Sequence, residues 1–158
     1  CGYSSTMSST SIQVYSDGAC HGNPGPGGWG WATAPSGAYQ GSGAVAKTTN
    51  QQMELRAAIE ALKGVRDLPG AVTVVTDSMY VINGFEKRWV DSWRRNGWMT
   101  SQKKPVANKE LWEQLYDLVH ARTPRVTFRW VKGHSGVPMN ELVDSLATAA
   151  CTLGKASR

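Results

Sequence analysis

The sequence predicts an α/β or α+β fold, one sheet with helices on its faces. Three observations carry this. The apolar spacing switches between periods of two and of three to four, in the order βββαβααβα. Residues 71–76 form a continuous, mostly β-branched run, the pattern of a strand buried on both faces. The chain has 158 residues, one ordinary domain, with no repeat and no interdomain linker.

The elements follow in order. Ile12, Val14 and Tyr15 read as a first strand ending at Asp17. The glycines and prolines of 22–28 (GNPGPGG) predict irregular backbone. Residues 29–34 and 39–46 read as two strands around the turn Pro35-Ser36-Gly37. Over 51–66 the period becomes helical: Met53, Leu55, Ala58, Ile59, Leu62 and Val65 recur at three and four, with Asn50 as the expected N-cap. Pro69-Gly70 breaks the chain before the buried strand 71–76. Residues 78–84 predict a short helix capped by Asp77 or Ser78. Residues 110–122 form an amphipathic helix with Leu111, Leu115, Leu118 and Val119 on one face, and Pro124 separates it from a last strand, 126–131. After the loop 133–138, a final helix is expected over 139–153, ending at Gly154.

Composition excludes several classes. The apolar content, 41%, is too high for a disordered chain. Cys1, Cys20 and Cys151 are odd in number and far apart, which argues against a disulfide framework or a zinc site and for a reducing, cytoplasmic setting. No run approaches the ~18 apolar residues of a membrane helix. Residues 1–10 read as a polar leader without a signal core, with Met7 as a candidate native start and Cys1 to Thr6 as a foreign remnant. Residues 11–154 are expected to be the single domain, and 155–158 a tail. The net charge of +5 is unevenly spread. Between Glu86 and Lys104, six basic residues face two acids, interleaved with Trp89, Trp93 and Trp98. Such a mixture suits phosphates and bases. Trp93, Trp98, Trp112 and Trp130 are expected in the core or supporting it.

The acids carry the chemistry. Asp17 closes the first strand and Asp77 the buried one, where ligands gather in open α/β sheets. Glu54 falls in the first turn of the long helix and Asp144 early in the last one, each amid apolar neighbours. Acids so placed are costly to bury alone and would repel one another if they converged. An oxygen cluster without His or Cys suits a hard cation, Mg²⁺ or Mn²⁺. Separate helix-capping carboxylates are the alternative.

At this point a resemblance emerges. The segments YSDGACHGNPGPGGWG, TTNQQMELRAAIEAL, VVTDSMYVINGF, WRRNGWMTSQKKPVANKELW and WVKGHSGVPMNELVDSLA resemble, in order, the blocks of type 1 ribonuclease H. The basic, Trp-rich protrusion of about 86–105 is similar to that of the bacterial stand-alone form. The resemblance implies a five-stranded mixed sheet, three antiparallel then two parallel strands, flanked by helices. It implies endonucleolytic hydrolysis of the RNA strand of RNA–DNA hybrids to 5′-phosphate and 3′-hydroxyl ends, with roles in primer and R-loop processing. It makes Asp17, Glu54, Asp77 and Asp144 the ligands of two Mg²⁺ ions, with Mn²⁺ as a substitute: Asp17 between both, Asp144 on the nucleophile side, Glu54 and Asp77 on the other. His134 would assist proton transfer or product release, and Glu141 would have a lesser part in release.

The same resemblance implies the substrate contacts. Cys20 (through its backbone), Gly22, Asn23, Asn50, Gln51 and Met79 would read the RNA strand and its 2′-hydroxyls. Lys47, Thr49 and Asn108 would grip one DNA phosphate; Trp89 would meet a deoxyribose; Arg94 and Arg95 would meet phosphates. Met79 stands where the family usually carries Gln, and Gln52 where it often carries Arg, which removes one base-edge contact. The implied partner is the hybrid alone, with no membrane and no obligatory protein partner, for a monomer. Integrases and Holliday-junction resolvases share the fold class, but the HGNPGPGG loop and the basic insertion argue against them. A silent hybrid-binding module would be expected to lack an acid. An excised nuclease domain of a reverse transcriptase is disfavoured by the same insertion.

Overall fold

A computed structural model describes residues 12–22, 25–34, 36–68, 70–100, 102–121, 126–133 and 136–156. Five strands, β1 (Ile12–Cys20), β2 (Gly25–Thr33), β3 (Gln40–Thr48), β4 (Val72–Thr76) and β5 (Val126–Trp130), form one sheet in the order β3-β2-β1-β4-β5. The pairs β1–β2 and β2–β3 are antiparallel, whereas β1–β4 and β4–β5 are parallel. The helices are α1 (Asn50–Gly64), α2 (Met79–Glu86), α3 (Trp89–Arg95), α4 (Lys109–Ala121) and α5 (Pro138–Ala156). The architecture matches the expected mixed sheet, with one short helix, α3, added inside the basic segment.

Alternation along the central strands explains the layers. Val14 and Val74 point into a large core with Leu55, Ile59, Leu62, Trp112 and Leu115 of α1 and α4. Their chain neighbours Tyr15 and Val75 point the other way, into a smaller core with Met139 and Val143 of α5. Side chains on a strand covered on both sides are mostly apolar, which is why β4 reads as an unbroken β-branched run.

Several boundaries differ from expectation, and four have a clear physical reason. β1 continues through Asp17 to Cys20, because its antiparallel ladder with β2 runs on past the last parallel pair with β4. Part of the GNPGPGG stretch is strand: Gly27 and Gly28 pair with Cys20 and Ala19, with a register shift between Gly25 and Gly27. Thr49, not Asn50, caps α1, its Oγ1 accepting from the Gln52 amide at 3.2 Å. That start puts Glu54 in the second turn. α5 begins at Pro138, where the missing N–H is no loss, and runs past Gly154 to Ala156. Ser78 is the cap of α2, with Oγ accepting from the Val81 amide.

Candidate active site

Ser16 and Thr76 are the last parallel pair of β1 and β4, and Asp17 and Asp77 are the next residues on each strand. Shared register therefore sets the two carboxylates side by side. Asp17 is only 5% exposed. It stands opposite Gly30 of β2. A Cβ at Gly30 would lie 2.6 Å from Leu146 Cβ and 3.0 Å from the Val143 oxygen. The bare glycine thus lets α5 lie directly on β2, and Asp144, between those contacts, reaches a side-chain hydrogen bond with Asp17.

The opposite face repeats the device. A Cβ at Gly18 would lie 2.7 Å from the Glu54 amide nitrogen, so α1 rests on β1 and delivers Glu54 to the same strand crossing. Glu54 Oε1 accepts from Ser78 Oγ at 2.8 Å, which ties it to the residue after Asp77. The Asp77 carbonyl accepts from Trp130 Nε1 at 3.1 Å. A Cβ at Gly133 would lie 2.6 Å from Asp77 Oδ2, so the segment leading to His134 passes over this carboxylate. His134 itself and Asn23 lie outside the described residues, as do residues 1–11.

The electrostatics follow from this crowding. Burial, then the charges of Asp77 and Asp144 and the bond to Asp144, push the Asp17 carboxyl up to about 9, while the Gly18 amide, donating at 2.9 Å, pulls it down. Burial also raises Glu54; the Ser78 hydroxyl opposes the rise and Asp77 adds to it. The four acids are linked pairwise, Asp144 to Asp17 to Asp77 to Glu54. Among the described residues, no three His, Cys, Asp or Glu side chains are disposed to share one ion. Glu141 is exposed in the first turn of α5.

The other candidates fall into two groups. Gly22, Asn50, Gln51 and Met79 are exposed at the ends of β1, α1 and α2, Met79 two residues from Asp77 and 47% exposed. Cys20 turns its thiol inward, toward the Thr48 carbonyl at 3.4 Å. Lys47 is exposed in β3, and Thr49 is the α1 cap. Asn108 lines a cavity of about 360 Å³ with Gln52, Val106, Lys109, Glu110 and Leu111. In the basic segment, Trp89 is half-buried beside Trp93, with centroids 6.1 Å apart. Arg95 is exposed. Arg94 lies over the Tyr116 ring at 4.1 Å and donates to its hydroxyl at 2.9 Å, so one face of its guanidinium is already used. Trp112 is fully buried and Trp93 and Trp98 partly so, as expected. Trp130 differs: it is 46% exposed, because β5 is the sheet edge and its indole reaches sideways to Asp77 rather than into a core.

Tyr80, Gly18 and Gly30 went unmarked in the sequence, and Gln52 stood out only as a departure from the family pattern. Their partners lie far along the chain, at separations no local pattern encodes; only the four glycines of β2 hinted at close helix approach.

Known proteins resemble this chain in sequence and fold. The ribonuclease H family model matches residues 9–152. A ribonuclease H of Nitratidesulfovibrio vulgaris (strain DP4) is 51% identical over 144 residues, 90% of each chain. The chain belongs to the ribonuclease H family. Membership makes it an enzyme, a type 1 ribonuclease H. Among solved structures, LC9-RNase H1, a type 1 RNase H with the type 2 active-site motif, is 33% identical with a TM-score of 0.74, covering 91% of this chain and 73% of that one. LC11-RNase H1 in complex with an RNA/DNA hybrid has the same fold at 22% identity, TM-score 0.69, covering 93% and 99%. Among the described residues, no helix of this ribonuclease H is long and apolar enough to cross a membrane.

Proposed function

We propose that this ribonuclease H cuts the RNA strand of RNA–DNA hybrids internally, leaving 5′-phosphate and 3′-hydroxyl ends, with Asp17, Glu54, Asp77 and Asp144 as its metal-binding acids. The observation that supports the reading is Asp17, almost fully buried beside two other acids, its carboxyl pushed up to about 9 first by burial and then by Asp77 and Asp144. The donor set is oxygen only and over-supplied with negative charge, which fits hard divalent cations, Mg²⁺ first and Mn²⁺ as a substitute. Bound there, two such ions would lower the pKa of the attacking water and stabilise charge on the leaving 3′-oxygen.

The chain's own groups orient this chemistry. Asp17 must give up its proton for a cation to bind, and its Gly18 amide bond favours the ionised form. Ser78 fixes one Glu54 oxygen, and Trp130 pins the backbone of Asp77. His134, which follows Gly133 in the sequence, would hold or pass the proton of the departing strand, with Glu141 in a lesser part at release. Cys20, Gly22, Asn23, Asn50, Gln51 and Met79 would face the RNA strand; Lys47, Thr49, Asn108, Trp89, Arg94 and Arg95 would face the DNA strand. That a protein of this fold binds an RNA/DNA hybrid supports a hybrid as the substrate. Cys20 and Cys151 are free thiols, which suits the cytoplasm; we read the protein as a monomer without an obligatory protein partner, acting on primers and R-loops.

The test is cleavage of an end-labelled RNA–DNA hybrid with Mg²⁺, beside RNA–RNA and DNA–DNA duplexes. Cutting of RNA in the hybrid alone, abolished by EDTA, is expected. Cutting of either homoduplex, or cutting that survives the chelator, would overturn the reading.

A further inference from the structure

A chain of hydrogen bonds crosses from the start of α1 to the base of the basic arm. Thr48 Oγ1 donates to Gln52 Oε1 at 2.8 Å. Gln52 Nε2 donates to Asn108 Oδ1 at 3.1 Å. Asn108 Nδ2 donates to Tyr80 Oη at 3.2 Å, and the buried Trp112 Nε1 donates to the same oxygen at 3.0 Å. Asn108 is also one of four non-glycine residues with left-handed backbone among those described, at φ +62°, a conformation asparagine tolerates better than most side chains. Its amide has two N–H donors. Tyr80 takes one; the other is left at a cavity that Lys109 also lines.

We infer that Gln52 and Tyr80 are positioning residues: they clamp the Asn108 amide from both ends so that its spare N–H meets one backbone phosphate of the DNA strand. The inference rests on the hybrid-cleaving reading above and adds residues to it. Glu110 lines the same cavity and opposes an anion there. Binding at this point must therefore depend on the aim of the donors more than on net charge. A neutral Gln at position 52, in place of a positive side chain, still serves because its task is to hold Asn108 Oδ1. Trp112 extends the clamp outward: its ring meets Tyr80 at 5.1 Å and Trp93 at 5.7 Å, and Trp93 meets Trp89 at 6.1 Å, so continuous ring contacts join the arm to the pocket.

The experiment replaces single phosphates of either strand of a short hybrid by neutral methylphosphonates and measures KM and kcat. In the unaltered enzyme, one position in the DNA strand raises KM about tenfold, the scale of one aimed hydrogen bond to a charged oxygen. Tyr80→Phe and Gln52→Leu raise KM on the unmodified hybrid more than they lower kcat, and lose the response to that position. Gln52→Arg, which can still donate to Asn108 Oδ1, keeps the response. Melting curves for each variant separate misfolding from misaiming. If Tyr80→Phe and Gln52→Leu fold and still respond as the unaltered enzyme does, or if no DNA position or only an RNA position stands out, the inference is wrong. Absence of hybrid cleavage by the unaltered protein would instead sink the proposed function.

Discussion

Asp17 lies almost completely buried where three elements meet, whereas Arg95 stands exposed on a seven-residue helix. The acid pocket gets its geometry from backbone register and from two bare glycines that let α1 and α5 touch the sheet. The basic arm is shaped by other means. Arg88, Trp98 and Lys103 all adopt left-handed backbone there, and a ladder of Trp89, Trp93, Trp98 and Trp112 rings ties it to the core. Like charges must be forced together by rigid packing, while cations facing a polyanion need only be displayed. The two regions should therefore fail differently: the pocket in kcat and in the pH dependence of stability, the arm in KM and in salt dependence.

The sharpest break is expected from Asp77→Asn, which keeps the fold and lowers kcat on a hybrid by roughly a thousandfold or more, the scale of losing a transition-state charge partner. Substantial turnover by pure mutant protein would remove Asp77 from the site. Next is Gly30→Ala. Its new methyl must push Leu146 and the Val143 carbonyl away, shifting Asp144. A loss of about 1–3 kcal/mol from overpacking lowers the melting temperature by roughly 2–4 °C per kcal/mol. A displacement of this kind costs kcat on the order of tenfold to a hundredfold. A normal kcat with a lowered melting point would show that Asp144 needs no close helix approach.

Third comes stability against pH in EDTA. Folded Asp17 titrates near 9, against 3.8 for the free group, so the folded state holds a proton that the unfolded chain has lost across this window. Folding stability then falls as pH rises from about 4 toward 9. Asp17→Asn should flatten that slope and raise the melting temperature at neutral pH, and Mg²⁺ should raise it for the unaltered protein alone. Equal slopes for both proteins would mean that Asp17 is not the strained group. The smallest effects separate two adjacent arginines. Arg95→Ala should raise KM a few-fold and reduce the salt slope of binding by about one. Arg94→Ala should do the same and also lower the melting temperature by about one to three degrees, because it leaves Tyr116 bare. Identical melting curves would show that the Tyr116 stack contributes nothing.

Much of this was legible in the chain. The β-branched run at β4 and the three-to-four spacing of Met53 to Val65 marked the central strand and the main helix, because burial on a regular element leaves a sequence trace. Asp17, Glu54, Asp77 and Asp144 were marked by their place in motifs. Trp130 misled, since a Trp in a strand reads as core until the sheet edge is known. Arg94 misled in part, since its Tyr116 partner lies on another helix, 22 residues away.

The sequence by itself determined the class of fold, the four acids and the concentration of positive charge in residues 86–104, because these depend on local pattern and residue type. Only the tertiary structure decided that Gly18 and Gly30 are where helices touch strands, that Asp17 is the acid burdened with its neighbours' charge, and that Gln52 and Tyr80 hold Asn108. The reason is physical. Repulsion between carboxylates and the aim of an amide depend on distances of a few ångströms between residues tens of positions apart, and those distances exist only once the sheet has set its register.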